Sequence, residues 1–139
     1  MFFLLLLIPF SAFSKTHTYA NVLAHYVSNY DGDTVKVNIP SYPPIVGKKI
    51  NIRVNGIDTP EIKGNCKKEK ILARQGKRLV SSMLKGSKSI ELKNLKRGKY
   101  FRIVADIYVN GQSISKALLK NNLAVAYDGG KKTKNWCAS

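Results

Sequence analysis

The chain has 139 residues, a length typical of one domain, and it carries 24 Lys and Arg residues against 8 Asp and Glu residues, a formal net charge of +16. So large a positive charge predicts an anionic partner, such as nucleic acid, an anionic membrane or a cell wall. The two cysteines, Cys66 and Cys137, form no Cys-x-x-Cys pair, which argues against a zinc site.

The first 14 residues have the character of a cleaved secretory signal. Residues 2–13 form an apolar run that is too short to span a bilayer, and the small residues Ala12 and Ser14 resemble a signal-peptidase site, although a basic n-region is missing. An uncleaved anchor and a misplaced start are the alternatives. We therefore expect a signal peptide at 1–14, one mature domain at 15–139, a secreted or periplasmic location, and no stable membrane association after cleavage.

The remaining chain predicts a mainly β domain with helices, of the α+β class. Alternating apolar and polar residues indicate strands, whereas apolar residues at helical spacing with Lys and Arg between them indicate a helix. Ser115 is the candidate N-cap of a short second helix, and Asn122 is its candidate left-handed stop. The expected elements in chain order are strands at 19–29, 34–39 and 48–57, a helix at 67–85, strands at 87–95 and 100–109, and a helix at 116–121.

Between these elements, the sequence predicts a loop at 40–47 and a basic tail without regular structure at 128–139. Strands and helices in this order are typical of a five-stranded OB-like barrel with two short-to-medium helices. Barrels of this type bind nucleic acid on one open face and its loops. Element order is an analogy, so function has to be argued from particular side chains.

Four of the eight acidic residues fall in two short stretches. Asp31 and Asp33 flank a glycine in the first stretch, and Asp58 and Glu61 lie close together in the second. Each stretch alone is ordinary, because Asp-Gly is most often a simple turn and the second stretch could equally be a turn that enters a helix. The first stretch also lacks the turn glycine and closing glutamate of an EF-hand loop. Their combination in a strongly basic chain indicates a functional site.

The second acidic stretch follows the third predicted strand. Pro60 ends that strand because proline has no backbone N–H for a sheet. The end of the strand should therefore hold Asp58, the carbonyl of Thr59 and Glu61 close together. Arg53 should lie one strand length away.

Several motifs follow one another along the chain, namely Asp31-Gly32-Asp33-Thr34-Val35, Arg53 with Ile57-Asp58-Thr59-Pro60-Glu61, Tyr100-Phe101-Arg102 and Asp106-Ile107-Tyr108-Val109-Asn110-Gly111. With these motifs, roughly residues 22–127 resemble the staphylococcal nuclease (thermonuclease) family. The resemblance implies an OB-like barrel and calcium-dependent hydrolysis of DNA and RNA phosphodiester bonds.

The resemblance also implies a calcium site. By position, Asp33 and Asp58 would be the carboxylate ligands of Ca²⁺, and Thr59 would add its main-chain carbonyl. Asp31 would lie just outside this set of ligands. Calcium is a hard cation that suits carboxylates and carbonyls, with waters completing its shell, so these residue types agree with the implied ion.

The same resemblance assigns the catalytic and substrate-binding residues. Glu61 would be the general base, Arg53 and Arg102 would bind the phosphate, and Tyr100 and Tyr127 would contact the substrate. Nineteen of the 24 basic residues are Lys, yet both phosphate-binding positions carry Arg. The planar guanidinium fork of Arg matches two phosphate oxygens, whereas Lys offers a point charge.

Two features depart from the pattern of the founding family member. Phe101 stands where the family commonly has Gly, which could alter how Arg102 approaches the site. The chain also ends soon after Tyr127, with a tail like that of shorter bacterial relatives. In that tail, Cys137 is expected to form a disulfide with Cys66 and to hold the tail beside the site; two free thiols are the alternative.

A monomeric, exported, calcium-dependent nuclease that acts on DNA or RNA is therefore the expected function. A non-catalytic nucleic-acid-binding barrel would be favoured if Asp33, Glu61 or one of the two arginines were missing, and all are present. A cationic protein that binds cell surfaces would need no cluster of carboxylates.

Overall fold

Five strands close into a barrel in the structure, a computed structural model that describes residues 18–138; the predicted signal peptide lies outside these residues. The strands in chain order are Val22–Asn29 (β1), Thr34–Asn38 (β2), Ile50–Val54 (β3), Ile57–Asp58 (β4), Ile90–Arg97 (β5), Ile103–Val109 (β6), Gln112–Ser113 (β7) and Val125–Ala126 (β8). The barrel follows the order β3-β2-β1-β5-β6, and a parallel pairing of β3 with β6 closes it. This confirms the predicted α+β fold with a five-stranded OB-like barrel.

The described residues form three helices, one more than predicted, at Pro44–Gly47 (α1), Lys67–Leu84 (α2) and Ile114–Lys120 (α3). The additional helix α1 is a single turn within the predicted loop. Pro44 suits the first position of this turn, where a backbone N–H has no helical partner to lose. So short a turn has no apolar periodicity by which the sequence would reveal it. Between residues 18 and 138, no helix is long and apolar enough to cross a membrane.

The barrel interior is filled by the inward-facing side chains of the alternating strands. Val35 and Val37 of β2 and Leu92 of β5 are fully buried, and α2 and α3 add Leu84 and Leu118 to the same core. Truncating a buried Leu to Ala typically costs about 2–5 kcal/mol. This packing holds in place the turns between strands, and those turns carry the acidic residues.

Helix α2 packs closely against the first acidic turn, residues 31–34, because two glycines meet there. A Cβ atom placed on Gly76 would stand 3.7 Å from the Cα of Gly32. A Cβ atom on Gly32 would in turn stand 3.0 Å from Thr59 Cγ2, closer than nearly all real contacts. A side chain at position 32 would therefore require the Thr59 side chain to shift by a few tenths of an ångström.

The start of α3 differs from the sequence prediction. Ser113, two positions before the predicted Ser115, caps the helix by accepting a hydrogen bond from Lys116 N at 3.3 Å. The reason is β7, which pairs with β6 up to Ser113, so that the helix begins directly after this hairpin at Ile114. Asn122 has a φ of +56°, which confirms the predicted left-handed stop.

The described part of the tail after β8, residues 127–138, has no helix or strand, but it is attached to the rest of the domain. Cys66 forms a disulfide with Cys137, as expected from the sequence. Trp136 is buried, and Lys68 Nζ donates a hydrogen bond to the Ala138 carbonyl at 2.6 Å. Because β8 also pairs with β4, the tail starts beside the second acidic turn.

Candidate active site

The structure brings the two acidic turns into contact. Asp33 Oδ2 accepts a hydrogen bond from Thr59 N at 3.2 Å, so the first turn touches the second. Asp31, Asp33 and Asp58 are only 4%, 5% and 4% exposed. Burying carboxylates of like charge is unfavourable unless hydrogen bonds or cations compensate them.

Asp31 builds the first acidic turn. Its Oδ1 accepts hydrogen bonds from Asp33 N at 3.0 Å and from Thr34 N at 2.9 Å. Burial and the nearby charge of Asp33 raise the pKa of Asp31 from 3.8 to about 7. The geometry gives Asp31 the task of shaping the turn that presents Asp33.

Arg53 reaches the same place from β3. The turn at Asn55-Gly56 interrupts the predicted third strand and turns the chain, so Arg53 Nη2 donates to the Ile57 carbonyl at 2.9 Å instead of lying one strand length away. Arg53 Nη1 lies 3.0 Å from Asp33 Oδ2 and 3.1 Å from the Val54 carbonyl. A guanidinium group has five N–H donors, so at least two of them have no partner among residues 18–138.

The carboxylates of Asp33 and Asp58 fit a hard cation. Asp58 Oδ1 is buried, and among the described residues the Lys132 ammonium lies 2.8 Å from it, so this carboxylate already holds a positive charge that a hard cation would share or displace. With the main-chain carbonyl of Thr59, the donor set is entirely oxygen, as calcium prefers. Across the described part of the chain, no third acidic, His or Cys side chain clusters closely with these two. Carbonyl and water oxygens would therefore complete the shell of the ion.

Glu69 is a buried carboxylate that sequence reasoning missed. Its Oε2 accepts a hydrogen bond from Asn65 N at 2.8 Å, and its Oε1 accepts a longer one from Glu61 N at 3.4 Å. Its carboxylate also lies near the sulfur atoms of Cys66 and Cys137, but both belong to the disulfide and offer no thiolate to a metal ion. Glu69 thus shapes the loop that presents Glu61. Its place three residues after the helix cap resembles a capping box, which is the sequence signal that points to it.

Lys132, in the tail, is the second residue that sequence reasoning missed. Its Nζ lies 2.8 Å from Asp58 Oδ1 and 3.0 Å from Glu61 Oε1. The contact with Asp58 is an ion pair whose geometry does not meet that of a hydrogen bond. Burial alone would lower the pKa of Lys132, but the two carboxylates outweigh this effect and raise the pKa to about 12. No motif distinguishes Lys132 from the other tail lysines. The expected Cys66–Cys137 bond is the one signal that a tail residue would reach this place.

A cleft of about 660 Å³ connects most of the predicted site residues. The side chain of Glu61 is 49% exposed, so water and substrate can reach it. Asp58 and Thr59 are buried and do not line the cleft. The predicted residues that line it are Asp31, Asp33, Arg53, Glu61, Tyr100, Arg102 and Tyr127.

The connection between β5 and β6 carries Arg102 to the cleft. It contains a 3₁₀ turn in which Tyr100 and Phe101 have φ values of +55° and +62°, so β6 begins at Ile103, later than predicted. Glycine adopts such φ values without steric cost, which explains why it suits position 101 in the family pattern. Within the described residues, the Arg102 side chain donates one long hydrogen bond, 3.4 Å from Nε to the Lys99 carbonyl, and most of its N–H groups have no partner there.

The two predicted substrate-contacting tyrosines are held differently. Tyr100 is 90% exposed on the rim of the cleft. The Tyr127 hydroxyl donates a hydrogen bond to the Gly130 carbonyl at 2.5 Å, and the Tyr127 ring centroid lies 6.0 Å from Lys132 Nζ. Tyr127 is therefore fixed by the tail, whereas Tyr100 is open to contact with a ligand.

Several known proteins are similar to this chain in amino-acid sequence. The endonuclease YncB of Bacillus subtilis (strain 168) is 39% identical over 103 residues, which are 70% of this chain and 44% of that protein. The SPbeta prophage-derived endonuclease YokF of the same organism is 38% identical over 103 residues, 70% of this chain and 32% of that protein. The staphylococcal-like nuclease CAN1 of Arabidopsis thaliana is 33% identical over 97 residues, 66% of this chain and 27% of that protein. The chain spans less than half the length of each of these relatives.

A protein-family model gives the classification. The model described as "Staphylococcal nuclease homologue" matches residues 51–136, which are more than half of the chain. The matched range contains Arg53, Glu61 and Arg102, whereas Asp31 and Asp33 precede it and join the site through the contacts described above. From the match over this range, the chain belongs to the staphylococcal nuclease family.

Proposed function

We propose that this protein hydrolyses phosphodiester bonds of DNA or RNA and uses Ca²⁺ as its metal ion. The observation that carries the proposal is that one cleft joins Glu61, Arg53 and Arg102 to the contact between the two acidic turns. The names of the relatives YncB and YokF, both called endonucleases, support the same chemistry. The net charge of +16 favours a polyanionic substrate.

Asp33, Asp58 and the Thr59 carbonyl would hold the ion. A calcium ion held there would polarise a phosphoryl oxygen and would help to place the attacking water. Asp33 and Asp58 are buried carboxylates on two turns that the Asp33–Thr59 hydrogen bond joins, so their negative charge favours a cation there. Calcium fits this site better than a softer metal because every donor is an oxygen atom.

Glu61 is the proposed general base. Its Oε1 contacts Lys132, whereas its Oε2 has no partner among residues 18–138 and is available to take a proton from water. The oxygen of that water forms a new bond to phosphorus as one P–O ester bond breaks. The leaving oxygen then takes a proton from solvent. Glu69 positions this base through the loop between them.

Arg53 and Arg102 are the proposed ligands of the phosphate. The N–H groups of Arg53 that have no protein partner can donate to phosphate oxygens, while its contacts with Asp33 and the Ile57 carbonyl fix the group beside the ion site. Arg102 approaches the cleft from the connection between β5 and β6. Donors that strengthen as charge builds up on the phosphoryl oxygens lower the barrier, by about 3 kcal/mol for a single well-placed donor.

We also propose that the protein acts outside the cytoplasm. The Cys66–Cys137 disulfide supports this location, because disulfides persist in oxidising compartments. The apolar run at residues 2–13 agrees with export.

A degradation assay tests the proposed function. The purified protein is incubated with single-stranded DNA, plasmid DNA and RNA, in Ca²⁺ and in chelator, and the products are followed by gel electrophoresis. We expect cleavage of at least one substrate in Ca²⁺ and none in chelator. Binding of nucleic acid without cleavage in any divalent cation would instead identify a non-catalytic binding module and contradict the proposal.

A further inference from the structure

A second groove, of about 410 Å³, lies beside the proposed active site. Its walls include the aromatic rings of Tyr42 and Phe101 and the apolar side chains of Val46 and Ile103. We call it the aromatic groove. Tyr42, Val46 and Ile103 are half-buried, whereas Phe101 is exposed, and none of the predicted roles explains a groove of this kind.

The aromatic groove is continuous with the cleft. Lys96, Arg97 and Arg102 line both of them, so these three cations form a shared wall between the two. A polyanion bound at Arg102 in the cleft therefore has a cationic path into the groove. An uncharged peptide or a lipid tail would fit the apolar walls but not this row of cations.

Phe101 is the central feature of the aromatic groove. Phe101 is 69% exposed. The guanidinium carbon of Arg97 lies 4.8 Å from the centroid of the Phe101 ring. Phe101 and its neighbour Tyr100 both have left-handed backbone conformations, which are unfavourable for bulky side chains. A large apolar ring is thus held in solvent, in a backbone conformation that glycine would adopt more easily, at the edge of a groove.

We propose that the aromatic groove binds a nucleobase of a single-stranded substrate, one that lies next to the phosphodiester bond in the cleft. The proposal rests on the proposed function for its substrate class. A base would stack on Phe101 or Tyr42, and Arg97 and Lys96 would contact the adjoining phosphate. Single strands are favoured because the bases of a duplex are already stacked and cannot enter a groove.

Binding measurements test this proposal without relying on catalysis. The affinities of an oligothymidylate and of an abasic strand with the same number of phosphates are compared by fluorescence anisotropy, in chelator so that neither strand is cut. We expect the wild-type protein to bind the base-containing strand about 10-fold more tightly, the scale of one stacked base. Phe101→Ala and Tyr42→Ala should each remove most of this preference and leave the abasic affinity close to wild type.

Leu23→Ala is the matched control, because Leu23 is 61% exposed and lines neither the groove nor the cleft. It should retain the full preference for bases. Phe101→Ala is the variant least able to disturb folding, since its ring is already largely in solvent, and thermal unfolding checks both groove variants. An undiminished preference in both folded variants would overturn the proposal, as would equal binding of the two strands by the wild-type protein.

A kinetic comparison separates the groove from the proposed function. The kcat/KM values for the oligonucleotide and for bis(p-nitrophenyl) phosphate, a small diester without a base, are measured in Ca²⁺. The kcat/KM for the oligonucleotide divided by that for the small diester should fall about 10-fold in Phe101→Ala. Most of this fall should come from a higher KM for the oligonucleotide. Absence of all hydrolysis by the wild-type protein would contradict the proposed function, whereas an unchanged ratio in an active variant would contradict the groove alone.

Discussion

The side-chain ammonium of Lys132 lies 3.0 Å from Glu61 Oε1. The same ammonium lies 2.8 Å from Asp58 Oδ1, so one tail residue contacts both the proposed base and a proposed calcium ligand. A cation bound at Asp58 would meet the repulsion of this lysine. The tail therefore acts on the site through the charge of Lys132.

The first prediction follows from this repulsion. Replacing Lys132 with Ala should tighten calcium binding up to about fivefold, the scale expected of one partly exposed charge. Lys131→Ala is the control, because Lys131 is exposed and forms no ion pair among residues 18–138. Isothermal titration with Ca²⁺ makes the comparison. Weaker binding in the Lys132 variant than in the control would show that the lysine supports the ion site instead of competing with it.

The second prediction concerns the Cys66–Cys137 disulfide, which spans a sequence separation of 71 residues. A cross-link that closes so long a loop is worth about 4 kcal/mol in the chain-entropy account. Reduction should therefore lower the free energy of unfolding in urea by up to that amount and release Lys132 from Glu61. The Cys137→Ser variant is the control, because reductant should leave its unfolding curve unchanged. Equal stability of the oxidised and reduced wild-type protein would contradict this prediction.

The third prediction distinguishes geometry from charge at Arg53. The Arg53→Lys variant keeps the charge but loses the planar fork that contacts Asp33 and the Ile57 carbonyl, so kcat should fall on the order of 10²-fold. Arg74→Lys, on the exposed face of α2, should change kcat very little. Equal losses in the two variants would reduce Arg53 to a general electrostatic contribution. Steady-state kinetics on one oligonucleotide substrate provides the comparison.

The barrel and its acidic turns were accessible from the sequence because they depend on local patterns. Alternation along β2 places Val35 and Val37 in the core, and an Asp-Gly turn or a proline ends a strand wherever it occurs. The contact between Asp33 and Thr59 was foreseen only through the family resemblance, because the two residues are 26 positions apart.

Other features depend on how distant segments pack, and local patterns do not record that. Lys132 reaches Glu61 across 71 positions because the disulfide and Trp136 hold the tail in place. The cap of α3 is Ser113 and not the predicted Ser115, because β7 pairs with β6 up to Ser113. Both serines are reasonable caps by composition, and only the hairpin decides between them.

The most direct test of the proposed nuclease compares Glu61→Gln with Glu91→Gln. Glu91 is a suitable control because its side chain is 43% exposed, close to the 49% of Glu61, and it lies on β5 in an ion pair with Lys93. We expect Ca²⁺ to raise the melting temperature of the wild-type protein and of both variants alike. Glutamine cannot accept the proton of the attacking water, so kcat of Glu61→Gln should fall about 10²-fold or more, while Glu91→Gln keeps wild-type kcat. A Glu61→Gln protein with wild-type kcat would contradict the assignment of Glu61 as the base.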